Sequence, residues 1–220
     1  MTSLCNSKLF PDTTEINQNG HVSIGGCDVP ELVGKFGSPL YLFDEKTIRS
    51  TCREYVAAFK DAYPRTHISY AGKAFINPAL LNILTEEGIG LEVVSGGELA
   101  MAKASGFSAL NTSFHGNNKS VRELEEAIDF GIGRVIIDSF TEINHLNRVA
   151  SEKGVSQKVL LRVSPSVDAH THRLITTGIL DTKFGFSIET GDAETAVEQA
   201  MASDSLDVAG IHFHLGSQIF

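Results

Sequence analysis

Apolar residues fall in short runs along residues 67–214, and between the runs they return every three or four positions. The runs cover residues 67–70, 90–95, 112–115, 134–138, 158–163 and 208–214. Short apolar runs bounded by turn residues predict buried strands. The stretches 78–87, 97–104, 121–130, 141–153 and 193–203 instead predict helices; Leu124, Ala127 and Ile128, for example, continue one face after Val121. Asn77 before Pro78 reads as an N-cap followed by a proline at the first helical position. Ser120-Val-Arg-Glu123 and Ser139-Phe-Thr-Glu142 both match the capping box, in which serine and glutamate satisfy orphan N–H groups reciprocally. Gly131, Gly133 and Gly154 fall where helices should end or turn. Upstream, residues 39–43 predict a strand and residues 44–60 a helix. Residues 1–38 are polar and glycine-rich with a weak strand signal at 21–24, and predict an extended lead-in rather than an independent domain.

Strict alternation of strand and helix, at a period of roughly 22–25 residues, predicts a parallel sheet covered by helices. Right-handed crossovers leave a barrel or a doubly wound sheet. The short period, and the lack of Gly-x-Gly-x-x-Gly after any strand, favour an α/β barrel of the (β/α)8 TIM type. Such a barrel takes about 250 residues. Here the sixth strand runs directly into Phe220. The expectation is therefore a partial barrel over residues 39–220, truncated after about the sixth strand.

Composition narrows the classes of function. The chain has 220 residues, 42% hydrophobic and 20% charged, as in ordinary globular proteins. A net charge of −9 without basic clusters argues against nucleic acid as a partner. No apolar run approaches the length of a membrane span, and no signal peptide is evident. Cys5, Cys27 and Cys52 are widely spaced, odd in number and without a CxxC pair, which fits a reducing, cytoplasmic compartment.

Active sites of barrels lie at the carboxyl ends of their strands. Lys73 follows the first predicted strand, where burial would lower an ammonium pKa and suit a Schiff base or a bound anion. Glu92 lies in the second strand, His115 ends the third, Asp138 the fourth, Arg162 lies in the fifth, and His212 and His214 end the sixth. Glu92 and Arg162 could equally form a buried ion pair, and His212 could be a hydrogen-bonded core histidine. His212 and His214, two apart on a strand, share a side, and His170-Thr-His172 repeats that spacing; a zinc hydrolase is thus a rival, although no further ligand stands at convincing spacing. Gly216 and Ser217 can offer N–H groups and a hydroxyl to an anion. An aldehyde-capturing lysine, an imidazole and a phosphate-friendly Gly-Ser together suggest pyridoxal phosphate.

These residues resemble the alanine racemase-like, fold-type III family of pyridoxal-phosphate enzymes, and within it the branch that decarboxylates diaminopimelate. The resemblance runs from about Gly37 to Phe220. It rests on Tyr70-Ala-Gly-Lys-Ala-Phe-Ile-Asn77, Val93-Val-Ser-Gly-Gly-Glu-Leu99, Phe114-His-Gly-Asn-Asn-Lys-Ser120, Leu160-Leu-Arg-Val163, Asp168-Ala-His-Thr-His172, Lys183-Phe-Gly-Phe186 and residues 210–218. The resemblance implies that Lys73 holds the cofactor aldehyde and that His214 stacks on its ring. Gly216 and Ser217 would lie around the phosphate, with Ala71, Glu92, His115 and Arg162 lining the pocket. The loop 167–183, with His170, Thr171, His172, Thr177 and Gly178, would cover the far end of an amino-acid substrate. No metal is implied. Glu92 stands where the family more often has aspartate, and Gly72 where it often has a larger apolar residue, which could loosen the lysine strand.

The implied reaction is decarboxylation of meso-diaminopimelate to L-lysine by a cytoplasmic homodimer. Alternatives are a decarboxylase of another basic amino acid or a non-catalytic cofactor-binding homologue. The family's glycine-rich phosphate loop, its glutamate at the pyridine nitrogen, and a β domain with a catalytic cysteine and tyrosine would follow Phe220. Residues 1–38 would pair with that domain, and residues 1–220 alone are expected to be inactive.

Overall fold

The computed structural model describes residues 9–165 and 184–216. They fall into two compact units, one of residues 9–68 with 86–89, the other of residues 69–85 with 90–165 and 184–216.

In the first unit the weak signal at 21–24 becomes part of a small antiparallel sheet. Its strands are β1 (Glu15–Ile16), β2 (Val22–Ile24) and β3 (Cys27–Asp28), in that order. Helix α1 (Val29–Phe36) follows without having been expected, although its start signals stand in the chain: Asp28 accepts from the Glu31 N–H at 3.1 Å and Pro30 sits in the first turn. Residues 39–43 form no strand. Pro39 has no N–H, Tyr41 is 86% exposed, and among the described residues no neighbouring strand takes up the segment's backbone groups. Helix α2 (Glu45–Ala62) is capped by Asp44, and its Arg49 and Arg53 both reach Glu87, at 2.9 and 2.7 Å.

The second unit is built on a parallel sheet. Strands β4 (Ser69–Ala71), β5 (Gly90–Val93), β6 (Thr112–Phe114), β7 (Arg134–Ile137), β8 (Gln157–Ser164) and β10 (Leu206–His212) are neighbours in that order, and β9 (Phe186–Ser187) adds to β8. Every pairing in this sheet is parallel. Each wall strand lies beside the one before it, as in the wall of a barrel; a doubly wound sheet would reverse its order at a switch point. Between the strands run α3 (Pro78–Glu86), α4 (Gly96–Ala104), α5 (Val121–Phe130), α6 (Phe140–Glu152) and α7 (Asp192–Met201).

Helix starts follow the expected side-chain chemistry. Asn77 Oδ1 accepts from Leu80 N–H at 2.8 Å, as an N-cap should. Ser120 and Glu123 form the complete capping box, and Glu123 also accepts from Gly96 N–H at 2.8 Å, tying the start of α5 to that of α4. At α6 only half of the expected box forms. Ser139 accepts from Glu142 N–H, but the Glu142 carboxylate turns to Asp138 N–H and to Lys119. A buried cation within 2.7 Å outcompetes the reciprocal bond to the Ser139 backbone. The same substitution of partner occurs at α4, where Ser95 accepts from Glu98 N–H and Glu98 accepts from Val94 N–H at 2.7 Å.

The core lies between sheet and helices. Leu91, Val93, Phe114, Val135, Ile137, Val159 and Leu161 from the strands are fully buried, with Leu124, Ile143, Leu146 and Val149 from α5 and α6. At roughly 1.5–3 kcal/mol per fully buried large side chain, this layer dominates the stabilisation of the unit.

Candidate active site

Side chains alternate faces along a strand, so the residues between those of the core point the other way. At or just past the carboxyl ends of the strands these are Ala71, Glu92, Ser113, His115, Asp138, Arg162 and His212. The sheet register sets Ala71 beside Glu92, Glu92 beside Ser113, and Arg162 beside His212. Five of the expected cofactor-site residues, Lys73, Ala71, Glu92, His115 and Arg162, thus lie on or beside one rim. His214 and Gly216 follow β10, half-buried.

Polar contacts join this rim into a chain. His115 Nδ1 lies 3.3 Å from Glu92 Oε1, and Arg162 NH1 lies 2.9 Å from His115 Nε2. A guanidinium can only donate, so Nε2 accepts and the ring proton sits on Nδ1, where it is donated to Glu92. Arg162 NH1 also reaches Asp138 Oδ1 at 3.5 Å, and the guanidinium stacks 4.5 Å from the Phe184 ring centroid. Arg162 therefore does not pair with Glu92, as one sequence reading allowed. His115 stands between them.

His212 packs edge-on against His115, ring centroids 4.5 Å apart, with its Nε2 3.9 Å from Glu92 Oε2. Its buried Nδ1 has no hydrogen-bond partner. Burial, reinforced by the charges of His115, Arg162 and His214 against the opposing pull of Glu92, lowers the His212 pKa to about 4. His214 is shifted down as well, first by burial and then by the charge of Lys73. Burial works to raise Glu92, but the His115 hydrogen bond and the charges of His115, His212 and Lys73 outweigh it and leave the carboxyl lowered. The rim thus holds a carboxylate kept ionised beside His212 and His214, whose lowered pKa values leave both imidazoles neutral near pH 7.

Lys73 lies in a 3-10 turn, Gly72–Ala74, directly after β4, and its side chain is exposed rather than buried. The expectation of a buried amine is corrected: Lys73 is exposed, and its charge acts on Glu92 and His214. Gly72 proves to be a close-approach residue, not a loose one. A Cβ there would stand 2.8 Å from the Glu92 carbonyl oxygen and 3.4 Å from Glu98 Oε2, so the turn that presents Lys73 is pressed against β5.

Glu92, His115 and His212 bring one potential metal-ligand atom each within 4.8 Å. This is not the His212–His214 pair of the rival reading, because β10 ends at His212 and His214 lies beyond the regular alternation. The donor set also suits a cation poorly. His115 Nδ1 carries the proton given to Glu92, its Nε2 is taken by Arg162, and a guanidinium stands in the same cluster. The arrangement suits the pyridoxal group better: the rim presents an exposed amine, a half-buried imidazole and a hydrogen-bonded carboxylate.

Ser217 and the substrate-loop residues His170, Thr171, His172, Thr177 and Gly178 lie outside the described residues. Two residues of this network carry little signal in the sequence: Asp138, visible only as a strand end, and Lys119, inside the His-Gly-Asn-Asn-Lys-Ser block, where a lysine between a strand end and a capping serine is the available sign.

Residues 48–220 match the profile of the pyridoxal-dependent decarboxylases, pyridoxal-binding domain, and the chain belongs to that family. Pyridoxal phosphate is accordingly its implied cofactor. Among curated relatives, diaminopimelate decarboxylase of Bacillus methanolicus is 44% identical over 211 residues, covering 96% of this chain and 49% of the relative. The Bacillus subtilis enzyme of the same name is 46% identical over 208 residues, covering 94% of this chain and 47% of the relative. The crystal structure of the M. jannaschii diaminopimelate decarboxylase in complex with L-lysine superposes with a TM-score of 0.86 at 38% identity, covering 94% of this chain and 49% of that one. The chain spans about half the length of the curated relatives it matches. Among the described residues no helix is long and apolar enough to cross a membrane.

Proposed function

We propose that the chain is the cofactor-binding part of an enzyme that decarboxylates meso-diaminopimelate to L-lysine. The observation that carries the reading is the placement of Lys73 beside Glu92, at the head of the Glu92–His115–Arg162–Asp138 chain. The curated relatives supply the substrate.

Pyridoxal phosphate, when bound, supplies the electron sink that makes loss of a carboxylate from an amino acid feasible. The chain's own residues do the rest. The Lys73 amine would hold the cofactor through its aldehyde, and as a free amine it would be able to carry a proton to the reacting carbon. Glu92, held ionised, keeps positive charge on the Lys73 side of the rim. His115 is fixed as a donor to Glu92 because Arg162 occupies its other nitrogen. His214, kept neutral, presents a flat face to an aromatic ring without adding charge. Ala71 leaves room beside the lysine, while Gly216 and Ser217 offer N–H groups and a hydroxyl to the phosphate. His170, Thr171, His172, Thr177 and Gly178 act on the substrate's distal amino-acid end. Residues 1–38 serve as a lead-in pairing with a further β domain, residues 39–220 as the partial barrel, and the assembled enzyme works as a cytoplasmic homodimer.

Mixing the chain with pyridoxal phosphate is expected to give a yellow absorbance band that survives gel filtration, and Lys73→Ala is expected to abolish it. A band of equal strength in the variant removes Lys73 from the role. On a polypeptide of the relatives' full length, carbon dioxide release from meso-diaminopimelate should exceed that from L-ornithine or L-arginine; the reverse order would reassign the substrate to another basic amino acid.

A further inference from the structure

Lys119 is the most enclosed cation among the described residues that form ion pairs, with 1% of its side chain exposed. Its ammonium donates to the Gly116 carbonyl at 2.5 Å and the Ile136 carbonyl at 2.8 Å, and lies 2.7 Å from Glu142 Oε1. It thereby joins the loop after β6 to the end of β7. A buried pair of this kind is weak evidence for stability, because desolvating two charges offsets their attraction. Its position suggests another use. Gly116 directly follows His115, whose own N–H donates to the Val93 carbonyl at 2.8 Å. The turn there is tight: Gly116 has φ +118°, and a Cβ would stand 3.0 Å from the Val94 carbonyl oxygen. On the other side, Glu142 Oε2 accepts the Asp138 N–H at 3.2 Å. Asp138 meets Arg162, and Arg162 donates to His115 Nε2. The pair therefore grips both ends of one route to the same imidazole, through Gly116 on its backbone and through Asp138 and Arg162 on its ring.

We propose that Lys119 and Glu142 form a positioning pair that holds His115 against Arg162 in the Nδ1–H tautomer, and so keeps Glu92 supplied with its hydrogen-bond donor. Both side chains are buried, and both act through His115. The consequence for cofactor binding rests on the pyridoxal-phosphate reading above, whereas the consequence for His115 does not.

The test uses Lys119→Met/Glu142→Gln, which removes both buried charges together and leaves an amide oxygen to accept the Asp138 N–H. Nitrogen-15 NMR of the imidazoles, without cofactor, reads the His115 tautomer. The parent chain should show the Nδ1–H form, and the folded double variant a mixture of both forms. A folded double variant with an unchanged tautomer overturns the proposal, since a purely structural role would leave the ring of folded molecules as it was. If the double variant does not fold, Lys119→Met alone, in which Glu142 can take a proton, is read by the same two outcomes. Pyridoxal phosphate titrated into the folded variant should bind about tenfold more weakly, the scale of coupling within one hydrogen-bond network. A tautomer change with no absorbance band in either protein would sink the cofactor reading and leave the positioning pair standing.

Discussion

The two faces of the parallel sheet are made by the same strands and follow opposite rules. On one, Leu91, Val93, Phe114, Val135, Ile137, Val159 and Leu161 are fully buried under the helices. On the other, the alternate positions carry Glu92, Ser113, His115, Asp138, Arg162 and His212 toward the strand ends, with Ile136 and Leu160 deeper in. The first face spends its residues on area removed from water. The second holds partly desolvated charges and imidazoles that would be costly without one another. Stability and chemistry are thus separated by the two-residue period of a strand, and substitutions on the two faces should fail in different ways.

The largest effect belongs to the apolar face. Phe114→Ala should cost about 3–5 kcal/mol of unfolding free energy, read by urea denaturation, while leaving the His115–Arg162 contact chemically intact. A loss below about 1 kcal/mol would mean that this face is not where the unit's stability resides.

Gly72→Ala probes the seam between the faces. Its Cβ would meet a backbone oxygen, which cannot rotate away as a side chain can, so a loss of about 1–3 kcal/mol is expected. The Lys73 absorbance band should weaken with it. A neutral result would return Gly72 to the role of a loosening residue.

The smallest effect belongs to the polar face and shows only in acid. The folded-state pKa of His212, about 4, lies below its ordinary 6.5. As pH falls the unfolded chain therefore takes up the proton first. Stability from keeping His212 neutral is full above the unfolded value and drains as pH falls through 6.5 toward about 4. Glu92, also lowered, acts in the same direction at lower pH, while Glu142, raised by burial against the pull of Lys119, acts oppositely. His115, Arg162, His214 and Glu92 are the charged or titratable groups acting on His212. Melting temperature measured from about pH 7 to about pH 4 should fall less steeply in His212→Asn than in the parent. Parallel curves would remove His212 from the acid limb.

The order of strands and helices was legible because helix and strand periods differ and because caps announce themselves, as Asn77 and Ser120 do. The segment 39–43 misled because apolar, aromatic residues resemble a strand whether or not a neighbour exists to pair with them. Helix α1 was readable from Asp28 and Pro30 but was hidden by a glycine-rich setting. In the candidate site, Lys73, Glu92, His115, Arg162 and His214 stood out because strand ends are where barrels keep their chemistry. Lys119 and Asp138 did not, since their partners lie in other elements far along the chain: Lys119 is 23 positions from Glu142 in α6, and Asp138 is 24 from Arg162 in β8.

By itself the sequence determined the alternation of strands and helices in the parallel-sheet unit, and which residue types stand at its strand ends, because these depend on local period and capping chemistry. Only the tertiary structure decided which of those residues meet. It showed that His115 separates Glu92 from Arg162, that Lys73 is exposed, and that Glu142 abandons its own capping box for Lys119. Those outcomes depend on distances between strands and on competition among donors for one carboxylate, and neither is written in any single stretch of chain.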